Sequence, residues 1–176
     1  MRRVLGVTIL ILGLVTARPA AAQEHAHDHG SPYAEFTDRE IKALSEAEVQ
    51  GLLNGDGLGM ALPAELNGYP GPKHVLELGD VLELSPDQRR EVTAIFDDMK
   101  AEARSLGERI VGLERELDRA FAEEAITRER LDELVASIAT SWGMLRAAHL
   151  GAHLHVREVL TESQRRQYER ERGYGS

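Results

Sequence analysis

The sequence predicts an all-α fold: a long antiparallel helical hairpin with shorter flanking helices. Apolar residues recur at spacings of three and four along two runs, Val92 to Phe121 and Leu131 to Leu160, the pattern of two amphipathic helices. They are joined near residues 124 to 127, a connection short enough to fold them back antiparallel with coiled-coil-like packing. Leu84-Ser85-Pro86-Asp87-Gln88 and Leu160-Thr161-Glu162-Ser163-Gln164 repeat one helix-starting device. In each, a hydroxyl accepts an orphan backbone N–H while the glutamine three positions later reaches back to the cap.

The elements follow in order. Arg2 and Arg3 precede an apolar run from Val4 to Val15, and Ala20 to Ala22 supply the small residues of a cleavage site. Residues 1–22 therefore read as a signal peptide, with an uncleaved anchor as the alternative, and the expected location is the periplasm with no stable membrane insertion after cleavage. Residues 23–36 read as a disordered His-rich arm. Residues 37–83 read as short helices and a Gly/Pro-rich connection. Thr37 and Glu40 form a capping box that opens a helix carrying Ile41, Leu44, Val49, Leu52 and Leu53. Six glycines between Gly51 and Gly71, with Pro63 and Pro70, leave room for a short helix near Ala61 to Leu66 and a tight turn through Asn67 to Pro72. His74 to Leu82 forms a further short helix whose Val75, Leu76, Leu78, Val81 and Leu82 pack across the hairpin.

Residues 84–172 make up the paired-motif hairpin domain. Its first helix runs from Pro86 to about Glu123, Thr127 caps the return helix, and the last helix runs from Glu162 to about Arg172. That last helix is too polar for a core strut. Gly107, Gly112, Gly143 and Gly151 lower intrinsic helicity, so packing must hold the long helices together.

Composition removes several classes of function. The leader contributes three arginines and no acid, so the mature chain carries 18 Lys+Arg against 30 Asp+Glu, a net charge of −12. Such a surface repels nucleic acid and favours cations or basic partners. The chain has no cysteine, hence no disulfide. No Gly-x-Ser-x-Gly elbow and no phosphate-binding Gly-Lys-Ser/Thr pattern occurs, and the acidic pairs fit solvated helix faces. An enzyme is not expected.

Metal chemistry is the exception. His149 and His153 stand one turn apart on the return helix, with His155 rotated away. Imidazoles at this spacing jointly bind a borderline transition ion when a third ligand approaches. A turn near residue 126 places Met99 opposite His153 and Ala103 opposite His149, so Met99 with Asp98 or Glu102 completes an N/S/O site. Histidines that merely bridge core and solvent are the alternative. The segment lacks the glutamate of a metallohydrolase helix, so binding does not imply hydrolysis. Cleavage after Ala22 puts His25 third from a free amine, the arrangement of a square-planar Cu(II) or Ni(II) chelate, thickened by His27 and His29. The cofactor expected is a divalent transition metal: Zn, Cu or Ni.

The paired motifs built on Leu84, Ser85 and Gln88 and on Leu160, Thr161 and Gln164, with the helical span between them and the leader, resemble the Spy/CpxP-like family of periplasmic chaperones and heavy-metal sensors over residues 84 to 170. The resemblance implies an all-helical, often dimeric protein that either shields unfolding clients or binds metal. His149 and His153 look like the sensor branch. His153 stands where those proteins carry a thioether, and no second histidine pair occurs between Asp38 and Leu53. The expectation is a metal-binding or metal-sensing helical protein; the alternative is a stress chaperone that holds unfolding clients. The partners implied are a second copy of the chain and either unfolded clients or an envelope signalling protein.

Overall fold

The computed structural model describes residues 31–174. The expected leader and His25, His27 and His29 lie outside the described residues. The chain divides into two units, Met1–Ala34 and Glu35–Ser176. Of the first, Ser31 to Ala34 forms a turn in which the Ser31 carbonyl accepts the Ala34 N–H at 3.0 Å.

The second unit is all-α, with no strand among the described residues. Its helices are α1 (Glu46–Asn54), α2 (Leu62–Glu65), α3 (Pro72–Glu77), α4 (Pro86–Ala122), α5 (Arg128–Val159) and α6 (Glu162–Arg172). Helices α4 and α5 pack along each other as the hairpin, and α1 and α3 lie against α4. Thr127 caps α5 by accepting the Arg130 N–H, and the Ser85–Gln88 and Thr161–Gln164 boxes are both formed.

The first short helix begins later than the sequence suggests. Thr37 to Leu44 forms turns, and α1 starts from a second box in which Ser45 accepts the Glu48 N–H and Glu48 reaches back to the Ser45 N–H. Ser45 has an extended backbone, which separates any upstream helical turn from α1. Ile41 and Leu44 are buried all the same, because the single turn closed by the Leu44 N–H on the Ile41 carbonyl tucks both side chains into the core. Downstream, α3 ends at Glu77 instead of Leu82. The chain reverses through Gly79 to Glu83, which leaves Val81 exposed while Leu82 is buried.

Two apolar clusters stabilise this arrangement. One joins Ile41, Leu44 and Leu52 to Ala103, Leu106, Ile110, Val111 and Leu145. The other joins Val75 and Leu82 to Val92, Val156, Leu160 and Tyr168. Helix α6 is therefore more than a solvated appendage: despite its charge it drives Tyr168 into the second cluster, where the ring is 1 % exposed. Toward the hairpin tip the apolar stripe outruns its partners, and Phe121 is exposed.

The two capping boxes also bind each other. Gln88 Nε2 donates to Gln164 Oε1 at 2.8 Å and to the Val159 carbonyl at 2.9 Å. Gln164 Nε2 donates to Gln88 Oε1 and to the Leu82 carbonyl, both at 3.1 Å. Each Oε1 accepts its own cap N–H as well, from Ser85 and from Thr161. Every donor and two acceptor sites of both amides are thus used.

Two predictions follow from this packing. A Cβ at Gly107 would stand 2.0 Å from the Leu52 carbonyl oxygen, so Gly107→Ala must push α1 off α4. Urea denaturation should register a loss of about 1–3 kcal/mol. Gly112 faces open space, and Gly112→Ala should instead gain about 0.5–1 kcal/mol; a loss there would remove the distinction. Gln88→Ala and Gln164→Ala should each cost about 1–3 kcal/mol, because each strands the other's half-buried amide and a carbonyl. The double variant should fall short of the sum by about 0.5 kcal/mol or more, and strict additivity would mean the amides act separately.

Candidate metal centre

His149 and His153 lie on α5 between the two apolar clusters, after Leu145 and before Val156. They are 4 % and 8 % exposed. With Arg157 they form one line along the helix, at i, i+4 and i+8, and its last two members, His153 and Arg157, hold the loop after α2. Arg157 donates to the Gly68 carbonyl and stacks its guanidinium 4.4 Å from the Tyr69 ring centre. His153 Nδ1 donates to the Tyr69 carbonyl at 2.7 Å. A carbonyl can only accept, so Nδ1 is the nitrogen that carries a proton, and a lone pair free to bind a metal can stand only on Nε2.

Glu65, at the end of α2, is the buried carboxylate of this junction. Its Oε2 accepts the Gly71 N–H at 3.1 Å and lies 3.7 Å from His153 Nδ1. Its Oε1 accepts the Tyr168 hydroxyl and lies 3.5 Å from Arg172 Nε. Burial and then this hydrogen bond push the Tyr168 phenol above its ordinary pKa, keeping it a donor. Gly71 is required by space, since a Cβ there would sit 2.9 Å from His153 Cε1.

His149 differs from His153 in having no such anchor. Its Nε2 is buried without a hydrogen-bond partner. Burial first, then His153 and Lys100, hold its pKa below the ordinary histidine value, opposed by Asp56. The imidazole is therefore neutral near pH 7, the form that donates to a metal. A buried nitrogen left bare costs about 1–3 kcal/mol.

Both histidines line a cavity of about 440 Å³ that Met99 also borders, together with Asp56, Glu65 and Lys100. Asp98 and Glu102 do not line it. They border a separate groove of about 450 Å³ with Met144 and His155, and Met99 stands at the wall between the two spaces. The oxygen ligand expected beside Met99 is thus aimed elsewhere, because at about 100° per residue Asp98, one position before Met99, and Glu102, three after it, are rotated by about 100° and 60° to the same side.

The donor set suits a transition metal in one further respect. A metal-ligating histidine nearly always donates its other ring N–H to a carbonyl or carboxylate, as His153 does to Tyr69. Among the described residues no three His, Cys, Asp or Glu side chains converge on a common point, so the pair needs a donor of another kind. Sequence reasoning found the histidines and Met99 but missed Glu65, Tyr168 and the Tyr69 carbonyl. Backbone carbonyls carry no sequence signature, and Glu65 sits among leucines with nothing to mark it as buried.

No curated protein matches the chain, and no solved structure does. A family model described as heavy-metal resistance matches residues 52–167. That span begins in α1 and takes in the cavity, both histidines, both capping boxes and the Gln88–Gln164 pair. The family is defined by resistance to heavy metals and not by a reaction. With most of its length matched, the chain belongs to the heavy-metal resistance family.

Proposed function

We propose that this protein binds a transition metal between α4 and α5, in the periplasm, and acts as a metal-responsive member of the Spy/CpxP-like class. The reading rests chiefly on the His149 Nε2 atom, buried without a partner one turn from a histidine whose opposite nitrogen is held by a carbonyl. His149 and His153 supply nitrogen donors and Met99 a thioether. Zn, Cu and Ni are the candidate ions. Bound metal supplies a cross-link between the two long helices. Binding that favours one helix arrangement shifts the population toward it, altering a homodimer or contact with an envelope signalling protein. His25, His27 and His29 offer a second, independent chelate on the arm.

A stress chaperone that holds unfolding clients is the second reading. It is favoured by four exposed leucines on and around α1 and α2: Leu53, Leu58, Leu62 and Leu66. A cluster of apolar side chains left in solvent is a contact surface for another chain.

Calorimetric titration of the mature protein with Zn(II), Ni(II) and Cu(II) separates these readings. Three forms are compared: wild type, His149→Ala/His153→Ala, and a form lacking the arm. Saturable micromolar or tighter binding, lost in the helix double variant whose helical circular dichroism is retained, is the expected result. Metal at about 100 times Kd should also raise Tm by roughly 5–10 °C. Gly71→Ala should weaken binding, because its backbone (φ −82°, ψ 142°) tolerates alanine while the added Cβ displaces the His153 ring. Loss only on removing the arm would move the site to the terminus. Absence of binding in every form, with protection of an aggregating client, would replace this reading by the chaperone.

A further inference from the structure

On the other side of Met99 from the cavity, two adjoining spaces of about 450 Å³ each share Ile95 and His155, and so run end to end between α4 and α5. Ile95 and Met99 of α4 and Met144, Ala147, Ala148 and Gly151 of α5 give this groove an apolar floor, with Met144 50 % exposed. Gly151 keeps the floor flat. A Cβ there would meet nothing within 4 Å, so the packing of the chain does not require glycine at a mid-helix position that glycine weakens.

The borders are acidic. Asp98 and Glu102 stand beside one space, Glu91 and Glu158 beside the other, and no Lys or Arg lines either. Among the described residues these four carboxylates form no ion pair, whereas Asp87 and Glu116 of α4 and Asp132 of α5 are each paired with an arginine. None of the four has a Lys or Arg three or four positions away on its own helix, where a pairing cation would stand. Asp98 and Glu102 are instead four apart, a like-charge spacing that destabilises a helix.

We propose that this groove docks an amphipathic helix of another protein, with apolar side chains on its inner face and Lys or Arg along its edges. The surface is separate from the metal site and does not depend on it. Unpaired acids on both helices attract cationic edges, and complementary charge steers the encounter and selects the partner. The small side chains of the floor let a second backbone approach closely. The described residues offer no strand edge to an extended peptide, so the helix-in-groove mode is the one the fold supports. From Glu91 to Glu102 the acidic border spans about 16 Å, or about three turns of a bound helix. A second copy of the chain fits less well, since it brings the same acids and the same excess of negative charge.

Neither the glycine nor the repelling acids serve the free chain. Substitutions that remove them should therefore leave the fold as stable or more so while weakening the docked helix, and that opposition of sign separates a binding surface from an ordinary solvated face.

The probe is a fluorescein-labelled amphipathic peptide of leucine and lysine, about five helical turns long, with a leucine and glutamate peptide of the same pattern as control. Each is titrated with the mature protein at physiological salt and followed by anisotropy. The expected result is saturable one-to-one binding of the lysine peptide and none of the glutamate peptide. Gly151→Leu fills the floor without altering charge and should weaken binding by about tenfold or more. Gly143→Leu, on the same helix but bordering neither space, should not. Asp98→Asn/Glu102→Gln should weaken binding and flatten its salt dependence. The Tm of all three variants should hold or rise, and a fall in Gly151→Leu or in the acid double variant would give those residues to the fold and overturn the proposal. Binding untouched by Gly151→Leu is adsorption to an acidic surface and would overturn it, as would equal binding of the glutamate peptide or no binding of either. Concentration-dependent dimerisation in sedimentation, abolished by Gly151→Leu, would assign the groove to a second copy instead.

Discussion

The reciprocal amide pair of Gln88 and Gln164 is the contact on which the rest of the structure depends. It joins the first turn of α4 to the first turn of α6, 76 residues apart, at the open end of the hairpin. By tying α6 back, it brings Tyr168 over α2, where the hydroxyl reaches Glu65. Glu65 in turn holds the Gly71 N–H, and so sets the loop whose Tyr69 carbonyl orients His153. The route from a helix-capping motif to the orientation of one imidazole runs through four hydrogen-bonded contacts joined by short stretches of backbone. Each link is buried or half-buried, so each costs more to break than it contributes when made.

The stabilising energy comes from elsewhere. Most ion pairs on the surface, such as Arg90 with Asp87 and Arg166 with Glu162, join exposed partners and add little. The two apolar clusters supply the driving force, and the polar chain between them specifies how α2, α5 and α6 meet. Arg165 shows the same division of labour. It donates to the Arg157 and Leu160 carbonyls, satisfying the end of α5 at the sharp turn into α6 and fixing direction more than adding stability.

What was legible in the sequence was what is local. The bounds of α4, α5 and α6 follow from caps and from three-and-four spacing, both properties of neighbouring residues. Thr37 to Glu40 and Ser45 to Glu48 are equally good capping boxes on paper; packing against α4 chose the second and left Ile41 and Leu44 in a turn. Tyr168 stands alone among charges, so periodicity gave no hint that α6 has a buried face. The two glutamines were readable as caps, but their mutual pairing is long-range and needs the hairpin to exist first. The histidine pair was legible from its spacing. The placement of Asp98 and Glu102 beside it failed because an estimate of hairpin register fixes height along a helix and not rotation about it.

The buried face of the return helix carries Leu134, Ile138, Leu145, Ala152 and Val156, and His149 and His153 stand within it at positions facing the core. Leucine at either site would extend the adjoining cluster and remove a polar group that burial penalises. His153 offsets its own cost through Tyr69, so it can be accounted for structurally. His149 cannot: its Nε2 is buried without a hydrogen bond, and whereas Arg172 Nε, buried and likewise without one, lies 3.5 Å from the Glu65 carboxylate, His149 has no such neighbour. Sequences agree with their fold at nearly every level, and the residues that break the agreement without compensation mark where something other than folding is served. On the proposed reading, an ion held at that nitrogen would offset the desolvation cost of His149 and join α5 to Met99 of α4.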